Sequence, residues 1–145
     1  MSEDQEFNEY ETFARKMEIA YPKMFEGKYG GFAVGKGWYP ILEQLCANIQ
    51  QHIKWKNRES EVVPQVIVEQ IKEKFGGLRF YYQGGDAEIS GMVRMAEAWA
   101  DVACEECGGI GKRRSGGWVR TLCDLHEDER NARMEEQARK DGLEL

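Results

Sequence analysis

Cys104-Glu105-Glu106-Cys107, then fifteen residues, then Cys123-Asp124-Leu125-His126 is the stretch that decides the fold of the C-terminal part of the chain. Each pair leaves two residues between its ligands, so both side chains turn toward one point from a tight knuckle. A hairpin-sized segment separates the pairs, which is the spacing of a tetrahedral zinc site. That segment carries Gly108-Gly109, Gly111 and Gly116-Gly117 where tight turns belong, and reads as knuckle, strand, Gly-Gly turn, strand. The second pair opens a charged, helix-compatible stretch. The chain has four Cys and two His, so four of those six residues in one ligand pattern argue for a shared metal over scattered thiols or a disulfide. Cys104, Cys107, Cys123 and His126 close a four-coordinate shell and leave no position for a reacting water. The zinc is therefore expected to be scaffolding, replacing a core that this polar, Gly-rich segment cannot build. Cys46 falls on the apolar stripe of a predicted helix and reads as a buried free thiol.

Working outward, Ile89, Met92, Val93, Ala96, Trp99, Ala100 and Ala103 recur at helical spacing and predict a helix running straight into Cys104. Before it, β-branched residues from Gln65 to Glu73, a turn at Phe75-Gly76-Gly77 and the alternation Leu78-Arg79-Phe80-Tyr81-Tyr82 predict a β-hairpin. Pro40 sits where a first helical turn tolerates it, and Ile41, Leu42, Leu45, Cys46, Ile49 and Ile53 form one stripe of a second helix. Phe7, Tyr10, Ala14, Met17 and Tyr21 predict a first helix that stops at Pro22. The glycines between, Gly27, Gly30, Gly31, Gly35 and Gly37, read as a flexible connector. Gly30 to Lys36 approaches a phosphate-binding loop, but Gly37 stands where the magnesium-holding hydroxyl belongs and no buried strand precedes it. From Leu125 a last, mostly charged helix has little to bury beyond Ala132, Met134 and Ala138. The expectation is an α+β fold: amphipathic helices packed on a β-hairpin (1–103), followed by a zinc knuckle, hairpin and C-terminal helix (104–145), the two parts forming one cooperative unit.

The composition of the 145 residues, 41% hydrophobic with four Trp, six Tyr and six Phe, is enough to bury a core, and a net charge of −6 argues against bulk adhesion to nucleic acid or anionic membrane. No apolar run approaches a membrane span, and the acidic start Met1-Ser2-Glu3-Asp4-Gln5-Glu6 gives no secretion signal, so cysteines in a zinc pattern place the chain in a reducing cytosol. Charge is divided locally: the first eleven residues are acidic, whereas Lys112, Arg113, Arg114 and Arg120 lie between Cys107 and Leu122 without an acid. Those four bases are a candidate nucleic-acid contact. For catalysis the residues offer less. His126 is committed to metal, His52 is the remaining imidazole, no Gly-x-Ser-x-Gly elbow exists, and no carboxylate pair has a spacing that forces an acid/base site. A small enzyme with an unrecognised acid/base site stays as a second alternative.

The hairpin is more suggestive. Lys72 and Lys74 share one strand face, as do Arg79 and Tyr81 on the returning strand, and Trp38 and Tyr39 stand at the mouth of the second helix. If register brings the faces together, bases would hold phosphate and flat rings would stack on a nucleobase, so a phosphate-bearing ligand, nucleotide or nucleic acid, is expected there. The rival account makes Trp38 and Tyr39 core residues and the lysines a solvated edge.

Two resemblances rest on these motifs. Residues 102–140 resemble a treble-clef zinc module, with one ligand pair on a knuckle and the other at a helix start. Gly37-Trp38-Tyr39-Pro40-Ile41-Leu42, Lys72-Glu73-Lys74-Phe75-Gly76-Gly77-Leu78-Arg79-Phe80-Tyr81 and the Cys/His pairs with Trp118-Val119-Arg120-Thr121-Leu122 together look like a family of small uncharacterised phage, prophage and bacterial proteins. That resemblance implies a setting and no mechanism. The expected function is a non-enzymatic, zinc-stabilised cytosolic binding protein, an accessory factor acting on a host component or a phosphate-bearing ligand.

Overall fold

A computed structural model describes residues 9–142; Phe7 and the acidic Glu3, Asp4 and Glu6 lie outside them. The elements are α1 (Glu9–Ala20), β1 (Phe32–Ala33), a 3-10 turn (Lys36–Trp38) leading into α2 (Tyr39–Lys56), β2 (Ile67–Lys74), β3 (Gly77–Gln83), α3 (Ala87–Ala100), β4 (Lys112–Arg114), β5 (Arg120–Leu122) and α4 (Asp124–Lys140). They form a three-stranded sheet in the order β1-β2-β3 and a two-stranded β4-β5 sheet. The fold is α+β, with helices on one face of the larger sheet and the Cys/His module at its end. No helix among the described residues is long and apolar enough to cross a membrane.

Local chemistry sets the elements. All six stripe residues of α2 are buried, Pro40 lies in its first turn, and Lys54 and Lys56 in its last turn complement the helix dipole. Asn57 ends it: its Oδ1 accepts from the N–H groups of Val62 and Val63, each at 2.9 Å. Asp86 caps α3 by accepting from Ile89 N at 3.0 Å. The β2–β3 turn has φ of 52° at Phe75 and 78° at Gly76, the paired positive values of the hairpin turn whose twist matches the strands. A bulge between Val68 and Gln70 resets the register, so that Val68 and Ile71, three positions apart, both point into the core. There Trp38, Met17, Leu42, Ile49, Ile71, Leu78 and Ile89 are fully buried, each side chain contributing about 1.5–3 kcal/mol.

Three expectations need correction. The glycine-rich stretch is not a loose connector: Met24, Phe25, Tyr29, Phe32 and Val34 are buried in the core, and β1 pairs in parallel with β2 (Phe32↔Ile71, Ala33↔Lys72). The third helix does not reach Cys104. It ends at Ala100, the chain bends through Asp101–Ala103, and Trp99 is 50% exposed instead of inward-facing. Of the apolar residues expected to anchor α4, Ala138 is buried while Ala132 and Met134 are exposed.

Candidate metal centre and adjoining sites

The knuckle after Ala103 and the N-terminus of α4 bring Cys104, Cys107, Cys123 and His126 together, their ligand atoms all within 4.8 Å of one another. Cys104 Sγ lies 3.6 Å from His126 Nδ1 and Cys107 Sγ lies 3.9 Å from Cys123 Sγ. A tetrahedron with metal–sulfur bonds of about 2.3 Å has edges of about 3.8 Å, so the cluster is sized to hold a metal ion. The other imidazole nitrogen, Nε2, faces Glu129 at 3.9 Å, placing a carboxylate behind the ligand and Nδ1 toward the sulfurs. Burial disfavours a charged sulfur at Cys104, but backbone N–H groups of Cys123, Cys107 and Glu106 outweigh it and hold the thiol down at about 7. At Cys107 the N–H of Gly109 favours thiolate, yet burial and the sulfurs of Cys104 and Cys123 push the thiol up. Three sulfurs crowded this closely ionise together only with a cation among them. Cys46 stays outside the cluster, sealed in the core, where burial raises its thiol far above the ordinary range.

The module is bolted to the core through backbone. Gly37 N donates to Glu105 O at 2.8 Å, and Trp38 Nε1 donates to Ala103 O at 2.9 Å. A Cβ on Gly37 would overlap Cys104 O, and one on Gly35 would lie 2.8 Å from Glu105 Cγ. Both glycines exist because backbone meets backbone there. On the other side, Gly76 O at the hairpin turn accepts from Thr121 Oγ1 at 2.7 Å and from Arg113.

These contacts revise the proposed ligand site. Trp38 is wholly buried and its one polar atom is engaged, so it offers no surface for stacking. Tyr39 is half-buried, its ring stacked on Phe13 at 3.9 Å. The register does join the hairpin bases: Lys72 stands directly opposite Arg79, and Gln70 opposite Tyr81. Lys72 Nζ lies 5.7 Å from the Tyr81 ring, and Lys74 Nζ 5.9 Å from the Phe75 ring. Where a Cβ of Gly77 would sit, Arg79 Nη1 is 2.9 Å away and Arg113 Nη2 is 3.6 Å away.

The four bases of the second hairpin do not make a free basic stripe. Arg113 pairs with Asp101, Arg114 with Asp124 at 2.7 Å, and Arg120 with Glu106 at 2.9 Å, leaving Lys112 exposed. Arg120 also borders a cleft of about 600 Å³ between the β1 edge and the module, lined by Phe32 to Lys36, Glu73, Glu105, Glu106 and Trp118. Burial raises the Glu105 carboxyl, with the charges of Glu73 and Glu106 adding to it, although Gly35 N–H and Arg120 pull the other way. This convergence of Glu73 with Glu105 had no signal in the sequence: the two are far apart along the chain, and Glu105 is hidden between two ligand cysteines. Compared with family models, curated proteins and solved structures, the chain matches none.

Proposed function

We propose that the chain is a non-enzymatic, zinc-stabilised binding protein that takes a phosphate-bearing ligand, a nucleotide or a nucleic-acid backbone, on the solvent face of its three-stranded sheet. Three sulfurs and one imidazole favour zinc, and a closed shell gives it a structural role. The observation that carries the reading is Lys72 opposite Arg79. Like charges directly across a strand pair are destabilising. Among the described residues neither of them nor Lys74 is ion-paired with a carboxylate: Lys72 and Lys74 lie near the Tyr81 and Phe75 rings and Arg79 Nη1 donates to Leu78 O at 3.2 Å, so their contacts leave the three positive charges unneutralised. A phosphate would neutralise them, taking the Arg79 fork and the lysine charges, while Tyr81, 42% exposed, offers a ring to a base. The nucleic-acid reading that uses Lys112, Arg113, Arg114 and Arg120 is weaker, since three of those are already paired. The phage or prophage setting follows from the resemblance of the sequence motifs, the cytosolic location from cysteines in a zinc pattern, and a host component as partner is part of the proposal that goes with that setting.

Calorimetric titration of mononucleotides, cyclic nucleotides and short oligonucleotides tests the reading. Affinity should fall with salt, and Arg79→Ala should cost about 1.5–3 kcal/mol of binding while leaving thermal stability unchanged or slightly raised. No binding by any of these, or equal binding by both proteins, rejects the site.

A further inference from the structure

The cleft beneath β1 has an electrostatic fault that the fold leaves open. Glu105 is 5% exposed, and its Oε2 accepts from Gly35 N at 2.9 Å. Its Oε1 is enclosed and receives no hydrogen bond; Arg120 Nε forms a long ion pair with it at 3.6 Å, and Lys36 also lines the cleft. Arg120 is shared, because its Nη2 is donated to Glu106 at 2.9 Å. From the other wall, Glu73 Oε1 accepts the indole N–H of Trp118 at 3.2 Å, and Glu73 Oε2 is likewise enclosed without a donor. Buried carboxylate oxygens without donors are unfavourable, and proteins retain them where something else completes the set. Here two of them come from different elements and border the same cavity.

We propose that this cleft binds an organic cation, an ammonium or guanidinium group, whose N–H groups donate to Glu73 Oε2 and Glu105 Oε1. Trp118 suits the entrance: it is 75% exposed, it follows Gly116 and Gly117 with φ of 104° and 86°, and its ring offers a cation–π face. Swinging the indole aside frees both oxygens of Glu73. A divalent metal fits poorly, since hard cations require six or more oxygen ligands. An anion meets three carboxylates against two bases, Lys36 and Arg120. A group with several N–H donors suits oxygens held apart on two walls. The cation has two possible sources, a free amine or the Lys or Arg side chain of a peptide, and a peptide could also lie along the residues 32–36 that line the cleft. The site is independent of the phosphate-binding face: strand alternation puts Glu73 on the side of β2 opposite Lys72 and Lys74.

The test uses the full chain with its metal. Agmatine, cadaverine and the peptide Gly-Arg-Gly are titrated while the indole N–H resonances of the four tryptophans are followed by NMR, with Gly-citrulline-Gly as the uncharged control. Saturable binding that shifts the Trp118 resonance, is absent with the citrulline peptide and weakens at least tenfold in Glu73→Gln supports the proposal. Tighter binding of Gly-Arg-Gly than of agmatine identifies a peptide as the source, and equal affinity a free amine. Silence of the Trp118 resonance with every cation at millimolar concentration overturns it, as does competition by equimolar magnesium. If Glu73→Gln fails to fold, Trp118→Phe, which keeps a ring but drops the N–H, is titrated by calorimetry. Retained cation binding there supports the site, and its complete loss overturns the assignment of Glu73 and Glu105 as the principal acceptors.

Discussion

Gly37→Ala tests whether the module and the core are one structure. A methyl group at this buried position would overlap Cys104 O and lie 2.6 Å from Gly108 N and 2.7 Å from Glu105 C. All three are backbone atoms of the knuckle, so no flexible side chain can yield. Overpacking of this kind costs about 1–3 kcal/mol. Relief requires the knuckle to retreat, which stretches the bonds from Gly37 N to Glu105 O and from Trp38 Nε1 to Ala103 O, each worth about 0.5–1.5 kcal/mol. The expected loss is about 4 kcal/mol, or roughly 8–16 °C in melting temperature for a chain of this size. Gly91→Ala is the matched control: it lies in α3 with nothing within 4 Å of its Cβ position and should stabilise by about 0.5–1 kcal/mol. Thermal melts followed by circular dichroism, with metal content measured on the same samples, give both numbers. If Gly37→Ala melts within about 2 °C of the parent at equal metal content, the knuckle is not docked as described.

Metal analysis should return one zinc per chain, and Cys107→Ser should lose it and unfold at least the last forty or so residues. Because Gly35, Gly37 and Trp38 rest on the knuckle, the near-ultraviolet signal of the core should fall with it; an unchanged core would make the module independent. The hydrogen bond between His52 Nε2 and Asp86 Oδ2, 2.8 Å, ties α2 to α3 and, with the Ile89 N–H, holds the Asp86 carboxyl below its ordinary range. A carboxyl lowered by folding stabilises the fold above its unfolded pKa of about 4 and loses that contribution as pH falls through its folded value. The stability gap between the parent and Asp86→Asn should therefore be full at pH 6 and shrink in acid. A gap that persists undiminished in strong acid contradicts the link.

What was legible in the sequence was what depends on neighbours a few positions apart. The α2 stripe repeats every three to four residues and is buried as expected, and Phe75-Gly76 forms the turn that its glycine announces. The convergence of the Cys/His quartet was readable because each pair is local. What failed was everything set by distant backbone. β1 is two residues long and takes its identity from a parallel partner across α2. Gly35 and Gly37 look like flexibility when their purpose is close approach to residues near 105. Trp38 at a helix mouth is as consistent with a stacking platform as with a core anchor until Ala103 O is placed beside it. The bases of the second hairpin look free in the sequence because their acids, Asp101, Glu106 and Asp124, lie just outside the acid-free stretch from Cys107 to Leu122.

The bond from Trp38 to Ala103 spans 65 residues, and that separation is also an interval of time. At about 5–20 residues per second, ribosomal synthesis puts roughly 3–13 s between the appearance of the indole and the appearance of its acceptor. Throughout that interval the largest aromatic of the N-terminal half lacks its acceptor and two glycine backbones lack the surface they fit. The N-terminal half therefore leaves the ribosome as an open receptacle, and the segment that brings the Cys/His quartet also delivers the wall that closes it.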